Sequence, residues 1–110
     1  PVKFGAGRVA ELAVHVKAVG LKRPLLVTDR ALARLPITAR AMDLLEEGGL
    51  GRAIFAEVDA NPNERNMEAG LSVYRAGGHD GVVCFGGGSA LDLGKMIALM
   101  VDQPVSVWDL

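Results

Sequence analysis

The sequence has few of the residues that build disulfides, metal sites or membrane spans. The single cysteine cannot close a disulfide within the chain. One cysteine and two histidines are also too few to form a zinc or iron ligand cluster. The longest apolar run, residues 96–101, is far shorter than the roughly 20 residues of a membrane-spanning helix. The chain begins with proline and carries no signal-peptide pattern, so we expect part of a longer, soluble, cytoplasmic protein.

Neither sign of charge dominates the sequence. Twelve Lys and Arg stand against thirteen Asp and Glu, which leaves a formal net charge of −1. Nucleic acids and anionic membranes are recognised by strongly basic surfaces, so we expect neither as a partner. Hydrophobic residues make up 50% of the 110 residues, and no repeat or break in composition divides them. The composition predicts one globular domain over residues 1–110.

Short apolar runs alternate with stretches of helical spacing. The runs at residues 2–4, 25–28, 53–58 and 82–85 predict strands. Apolar residues at helical spacing predict three helices that end near Gly20, Gly48 and Gly77, and a fourth helix over residues 90–101. The third helix is predicted to start with Asn61 as its N-cap and Pro62 in its first position. This alternation predicts an α/β fold with a Rossmann-like parallel sheet and flanking helices.

The fourth predicted helix is apolar on nearly every side. Apart from Asp92 and Lys95, residues 90–101 contain almost no polar side chain. A helix of this kind has to be covered on every side, so we expect a further segment or subunit to pack against it.

Two glycine turns are candidates for binding a phosphate, and the first lies near the start of the chain. Gly5, Gly7 and Ala10 match the dinucleotide fingerprint G-x-G-x-x-A, and Asp29 follows at the end of the next predicted strand. The alternative is an ordinary strand-to-helix turn, because the preceding apolar run has only three residues.

The second turn, Gly86-Gly87-Gly88-Ser89, joins the clearest predicted strand to the apolar helix. Backbone N–H groups at such a turn can bind a diphosphate on the helix axis. The turn is not a P-loop, because the spacing from Gly88 to Gly94 is one residue too long and Met96 replaces the magnesium-binding Ser or Thr. A capping box between Ser89 and Asp92 is the structural alternative, although it leaves three consecutive glycines unexplained.

The joint pattern resembles a known family. The chain resembles the amino-terminal domain of the iron-containing alcohol dehydrogenases, which are related to glycerol dehydrogenase and dehydroquinate synthase. The resemblance rests on the segment Gly86-Gly87-Gly88-Ser89-x-x-Asp92-x-x-Lys95 and on the preceding pairs Thr28-Asp29 and Asn61-Pro62. The resemblance covers nearly the whole chain. It implies an NAD(P)-dependent oxidoreductase that transfers hydride between the cofactor and an alcohol or aldehyde, and it assigns the diphosphate to the second turn.

The resemblance also implies roles for individual residues. Gly87, Gly88 and Ser89 would bind the cofactor diphosphate, Asp29 the adenosine ribose, and Asn61 and Asp92 other parts of the cofactor cleft. A carboxylate at Asp29 would repel a 2′-phosphate, so we expect NAD in preference to NADP. Two simpler readings remain open, since Asp29 could cap residues 30–34 and Asn61 could cap the third helix.

The chemistry of the family lies outside these residues. The resemblance implies a helical carboxy-terminal domain that holds a divalent metal, iron or zinc. This chain would then supply no catalytic and no metal-binding residue. The resemblance also implies a homo-oligomer. We expect His15 and His79 to be solvated or locally bonded, and Cys84 to be an unreactive, buried thiol. A glycerol dehydrogenase or dehydroquinate synthase type of enzyme and a non-catalytic nucleotide-binding module remain the alternatives.

Overall fold

A computed structural model of the chain describes residues 2–4, 6–58 and 63–109, with side chains for residues 9–58 and 63–108. The strands are β1 (Val2–Phe4), β2 (Pro24–Val27), β3 (Ile54–Phe55), β4 (Gly81–Gly86) and β5 (Val105–Asp109). The helices are α1 (Leu12–Ala18), α2 (Pro36–Glu47), α3 (Glu64–Ala76) and α4 (Gly88–Val101). Two 3₁₀ helices, Ala6–Glu11 and Leu32–Arg34, precede α1 and α2.

The five strands form one parallel sheet in the order β1-β5-β4-β2-β3. This confirms the predicted α/β fold with a parallel sheet. β4 is the central strand, and all six of its residues are buried. Since the strands are parallel, the carboxyl ends of all five lie along one edge of the sheet.

The strand side chains alternate between two separate hydrophobic cores. Leu26, Val83 and Phe85 point to the core that contains residues of α1 and α2. Leu25, Val82 and Cys84 point to the opposite core, which contains residues of α3 and α4. Strands buried on both faces need continuous apolar sequences, which is why β2 and β4 read as unbroken apolar runs.

The neighbouring strands β2 and β4 send the chain to opposite faces of the sheet. β2 is followed by α2, which packs in one core, and β4 is followed by α4, which packs in the other. The two connections diverge and leave a crevice between them at the carboxyl edge. Ligands of open α/β sheets bind at such a switch point.

Several predicted boundaries are wrong in detail. The first helix begins as a 3₁₀ helix, and the strand predicted over residues 53–58 has only two residues, Ile54 and Phe55. The N-cap of α3 is Asn63, not Asn61: the Asn63 side chain accepts from the Asn66 N–H at 3.0 Å, and the Asn66 side chain accepts from the Asn63 N–H. Asn61 and Pro62 lie outside the described residues.

The outer side of α4 carries exposed apolar side chains. Leu93 and Ile97 are fully buried against the sheet, whereas Leu99 is 82% exposed and Met96 and Met100 are also exposed. The apolar character of α4 on both sides is therefore confirmed. The expectation that another segment or subunit covers the outer side stays a prediction.

None of the helices built from the described residues has both the length and the apolar character needed to cross a bilayer.

Candidate functional site

A cavity of about 360 Å³ opens at the switch point between β2 and β4. It is bordered by the connections that follow three neighbouring strands: Asp29, Arg30 and Ala31 after β2, Val58 after β3, and Gly87, Gly88 and Ser89 after β4. Four of the predicted cofactor-binding residues, Asp29, Gly87, Gly88 and Ser89, thus line one cavity.

Gly87 and Gly88 have no structural reason to be glycine. Gly87 has φ −95°, which any residue adopts, and neither glycine has a positive φ. A Cβ added to either residue would meet no atom within 4 Å. Because glycine is entropically costly at a turn, its presence here calls for another explanation. A side chain at either position would point into open space beside the cavity.

Gly86 is a glycine for a structural reason. Its φ of 145° is a conformation that residues with a side chain rarely adopt. A Cβ there would also lie 2.6 Å from Cδ1 of Leu32. The three consecutive glycines therefore serve two purposes, with the first shaping the turn and the next two leaving space above it.

The amino terminus of α4 lies at this space, because Gly87, Gly88 and Ser89 all line the cavity. α4 begins at Gly88, its N-cap is Gly87, and the first helical bond runs from the Leu91 N–H to the Gly87 carbonyl at 3.0 Å. The described residues show no side-chain capping hydrogen bond at the N-cap Gly87, so the alternative interpretation, a capping box between Ser89 and Asp92, is wrong. Ser89 is instead the second residue of the helix. The first N–H groups of a 14-residue helix, together with its dipole, favour an anion at this position.

Asp29 has one carboxylate oxygen fixed by the backbone. Its Oδ1 accepts from the Leu32 N–H at 2.7 Å, and its carbonyl accepts from the Ala33 N–H at 3.0 Å. The capping interpretation of Asp29 is therefore confirmed. It does not compete with a role in ligand binding, because this hydrogen bond uses one of two oxygens and orients the carboxylate at the wall of the cavity.

The Thr28 hydroxyl lies under the same turn. Thr28 is completely buried, and its Oγ1 has no hydrogen-bond partner within the described part of the chain. A Cβ on Gly86 would be 3.5 Å from this oxygen. A buried hydroxyl without a partner is uncommon in folded proteins and here adjoins the residues that line the cavity.

The other predicted residues lie away from the cavity or outside the described chain. Asn61 belongs to the residues that the structure leaves undescribed. Asp92 is exposed, one turn along α4 from Ser89, and it does not line the cavity. Lys95 is also exposed, and the described residues show no ion pair between it and Asp92.

Three lining residues were not predicted from the sequence. Arg30 and Ala31 follow Asp29 directly, so the assignment of Asp29 could have suggested them. Val58 follows the two-residue strand β3, and without the strand order nothing in the sequence connects it to the glycine turn.

The remaining polar groups of interest are held by local packing. The His15 ring packs edge-on against Trp108, with ring centroids 5.7 Å apart. His79 Nδ1 lies 2.9 Å from the Arg23 carbonyl oxygen. Burial raises the pKa of the Cys84 thiol to about 12, so this cysteine is unreactive, as predicted. No group of three or more His, Cys, Asp or Glu side chains among the described residues could hold a metal ion.

Comparison with known proteins gives consistent matches. A sequence profile for the family described as iron-containing alcohol dehydrogenase matches residues 1–110. Alcohol dehydrogenase 4 of Saccharomyces cerevisiae strain YJM789 is 39% identical over 106 residues, which cover 96% of this chain and 28% of the yeast protein. The chain thus spans little more than a quarter of the length of this relative.

Solved structures share the fold. The structure of a 1,3-propanediol oxidoreductase matches with a TM-score of 0.85 and 32% identity, over 96% of this chain and 28% of that one. The structure of a sulfoacetaldehyde reductase from Bifidobacterium kashiwanohense, solved in complex with NAD⁺, matches with a TM-score of 0.80 and 28% identity. The match covers 96% of this chain and 27% of that one.

Proposed function

The chain belongs to the iron-containing alcohol dehydrogenase family of alcohol and aldehyde oxidoreductases, and from this membership we propose that it is the amino-terminal, cofactor-binding domain of an NAD-dependent enzyme. The enzyme would transfer hydride between the nicotinamide and a small alcohol or aldehyde. We place the enzyme in the cytoplasm as a homo-oligomer. The metal, iron or zinc, and the residues that hold it would belong to a separate domain.

The two unexplained glycines are the observation that carries this proposal. A ligand that contacts the backbone at Gly87 and Gly88 needs an anionic group, because the α4 amino terminus offers N–H donors and a positive dipole end. The diphosphate of a dinucleotide supplies this group. It would be held by the N–H groups of Gly88, Ser89 and Ala90.

The remaining lining residues fit the adenosine half of the same ligand. Asp29, oriented by the Leu32 N–H, would accept hydrogen bonds from the ribose hydroxyls. Val58 and Ala31 supply apolar surface beside it. Asp92 is proposed to face the nicotinamide side of the cofactor cleft, and Asn61 is proposed to line the same cleft. The bound dinucleotide supplies or accepts the hydride, and this domain contributes its binding and orientation.

Replacing Gly87 tests the proposal. Gly87→Val places a branched side chain where the diphosphate would approach, and its Cβ would meet no described atom within 4 Å, so we expect the fold to be retained. We expect the Kd for NADH to rise by at least about 50-fold, which corresponds to ~2.3 kcal/mol, in a fluorescence titration of the full-length protein.

The matched control is Ser72→Val, at an exposed position of α3 that does not line the cavity. It should leave the Kd for NADH within about twofold of the wild-type value, and both variants should melt within a few degrees of wild type. Normal NADH binding by Gly87→Val would remove the glycine turn from the proposed site.

A further inference from the structure

We propose that Leu32 is a positioning residue of the cofactor site, which holds the segment that carries Asp29 at a set distance from the glycine turn. The inference rests on the proposed function, because only a ligand that contacts both places needs them correctly spaced. Leu32 does not line the cavity, so it acts through the residues that do.

The backbone of Leu32 connects Asp29 to the helix that follows. Its N–H donates to Oδ1 of Asp29 at 2.7 Å. Its carbonyl accepts from the Thr38 hydroxyl at 2.5 Å and from the Leu35 N–H at 3.0 Å. Thr38 is a buried residue of α2. These bonds orient the Asp29 carboxylate and fix its segment to α2, but they do not join that segment to the glycine turn.

The side chain of Leu32 makes the contact with the glycine turn. Gly86 is the last residue of β4, and a Cβ on it would lie 2.6 Å from Cδ1 of Leu32. The Leu32 side chain thus occupies the space that the absent Gly86 side chain leaves. The same Cβ position is 3.5 Å from Oγ1 of Thr28 and 3.6 Å from Cβ of Ala90, in the first turn of α4. Leu32 therefore packs where the ends of β2 and β4 and the start of α4 meet.

A ligand of fixed length makes the spacing important. The ribose and the diphosphate of a dinucleotide are covalently joined, so both contacts form without strain only when Asp29 and the turn amides are held at the matching distance. A site that is already held in its bound geometry binds more tightly, because less ordering remains to be done on binding. A shorter side chain at position 32 would leave the carboxylate oriented by the backbone and let the whole segment shift relative to the turn.

Shortening Leu32 in the full-length protein tests this role. In Leu32→Ala we expect the Kd for NADH to rise by about tenfold. Leu32→Met keeps a long apolar side chain, so its Kd should stay within about threefold of the wild-type value. Ile37→Ala is the matched control, since Ile37 is also half-buried and packs against the core of α1 and α2 but does not line the cavity. It should change the Kd by less than about twofold, even if it lowers the melting temperature.

A double-variant cycle separates positioning from a general loss of stability. Asp29→Asn removes the charge that would accept from the ribose hydroxyls, so in the wild-type background it should raise the Kd for NADH by about tenfold. In the Leu32→Ala background the same substitution should raise it by less than about threefold, because the carboxylate is no longer held in place for the ligand. The Ile37→Ala background should keep the full effect. Equal effects of Asp29→Asn with and without Leu32, or an unchanged Kd in Leu32→Ala, would overturn the inference.

Two further results keep the test decisive. If Leu32→Ala does not fold, the same cycle is measured with Leu32→Val, which removes less of the side chain, and an equal effect of Asp29→Asn in both backgrounds again overturns the inference. If the full-length wild-type protein does not bind NADH, the proposed function itself fails. If it binds NADH and the Leu32 variants behave like Ile37→Ala, the cofactor site stands and the role of Leu32 is wrong.

Discussion

Individual residues at the site have structural roles that are compatible with the proposed binding roles. Asp29 accepts from the Leu32 N–H, at the start of a 3₁₀ helix, with one oxygen and borders the cavity, so the two interpretations that the sequence left open are compatible. For Ser89 the capping interpretation failed, because α4 begins at Gly88, two residues earlier than expected. The sequence could not distinguish these cases, since a capping side chain and a ligand-binding side chain occupy the same positions at a helix start.

Thr28 gives a prediction at this scale. Its hydroxyl is buried and has no hydrogen-bond partner among the described residues, so replacing it with the isosteric Val removes a desolvated polar group at no cost in the hydrogen bonds that these residues show. We expect Thr28→Val to increase the free energy of unfolding by about 1 kcal/mol in urea denaturation of the unliganded protein.

Thr38 supplies the opposite control. Thr38 is also buried, but its hydroxyl donates to the Leu32 carbonyl at 2.5 Å. Thr38→Val should therefore lower the free energy of unfolding by about 1 kcal/mol, because it removes this buried hydrogen bond and leaves the Leu32 carbonyl only the Leu35 N–H, at 3.0 Å. A destabilised Thr28→Val would mean that the Thr28 hydroxyl is satisfied in the folded protein.

At the scale of elements, the helices were more predictable than the strands. The apolar spacing in α2 and α3 recurs over three turns and is stopped by glycines, which makes the pattern distinctive. β3 has two residues, and β5 carries the polar residue Ser106 between its apolar ones, so neither has a clear signature. β3 is a strand because it pairs with β2, and β5 is a strand because it pairs with β4. These pairings join segments that are not adjacent in the sequence, so local patterns do not reveal them.

The packing of α4 on β4 gives a prediction for this scale. A Cβ on Gly94 would overlap the sulfur of Cys84, so the helix lies unusually close to the strand. Although alanine favours helices over glycine by up to ~1 kcal/mol, Gly94→Ala should lower the free energy of unfolding by roughly 1–2 kcal/mol because the overlap outweighs that gain.

A double variant checks the cause. Cys84→Ala removes the overlapping sulfur, so it should cost less stability in the Gly94→Ala background than in the wild type. Additive losses in the urea denaturation of the single and double variants would show that the two positions are not coupled.

At the scale of the whole molecule, the site results from the winding of the chain. The glycine turn and Asp29 are almost 60 positions apart in sequence, and they meet because β2 and β4 are neighbours whose helices pack on opposite faces. Sequence periodicity predicted a parallel sheet but not its strand order, which depends on contacts between distant residues. The family resemblance supplied the proposed diphosphate position, and the place of Val58 at the cavity emerged only with the fold.

The most direct test of the central claim is a titration of the ¹⁵N-glycine-labelled full-length protein with NADH, followed through the backbone amide resonances. If main-chain amides at the start of α4 bind the diphosphate, the Gly87 and Gly88 resonances should shift and saturate with the binding curve, while Gly51, at the opposite edge of the sheet, should not move. Saturable NADH binding that leaves Gly87 and Gly88 unshifted, or no binding at all, would contradict the account.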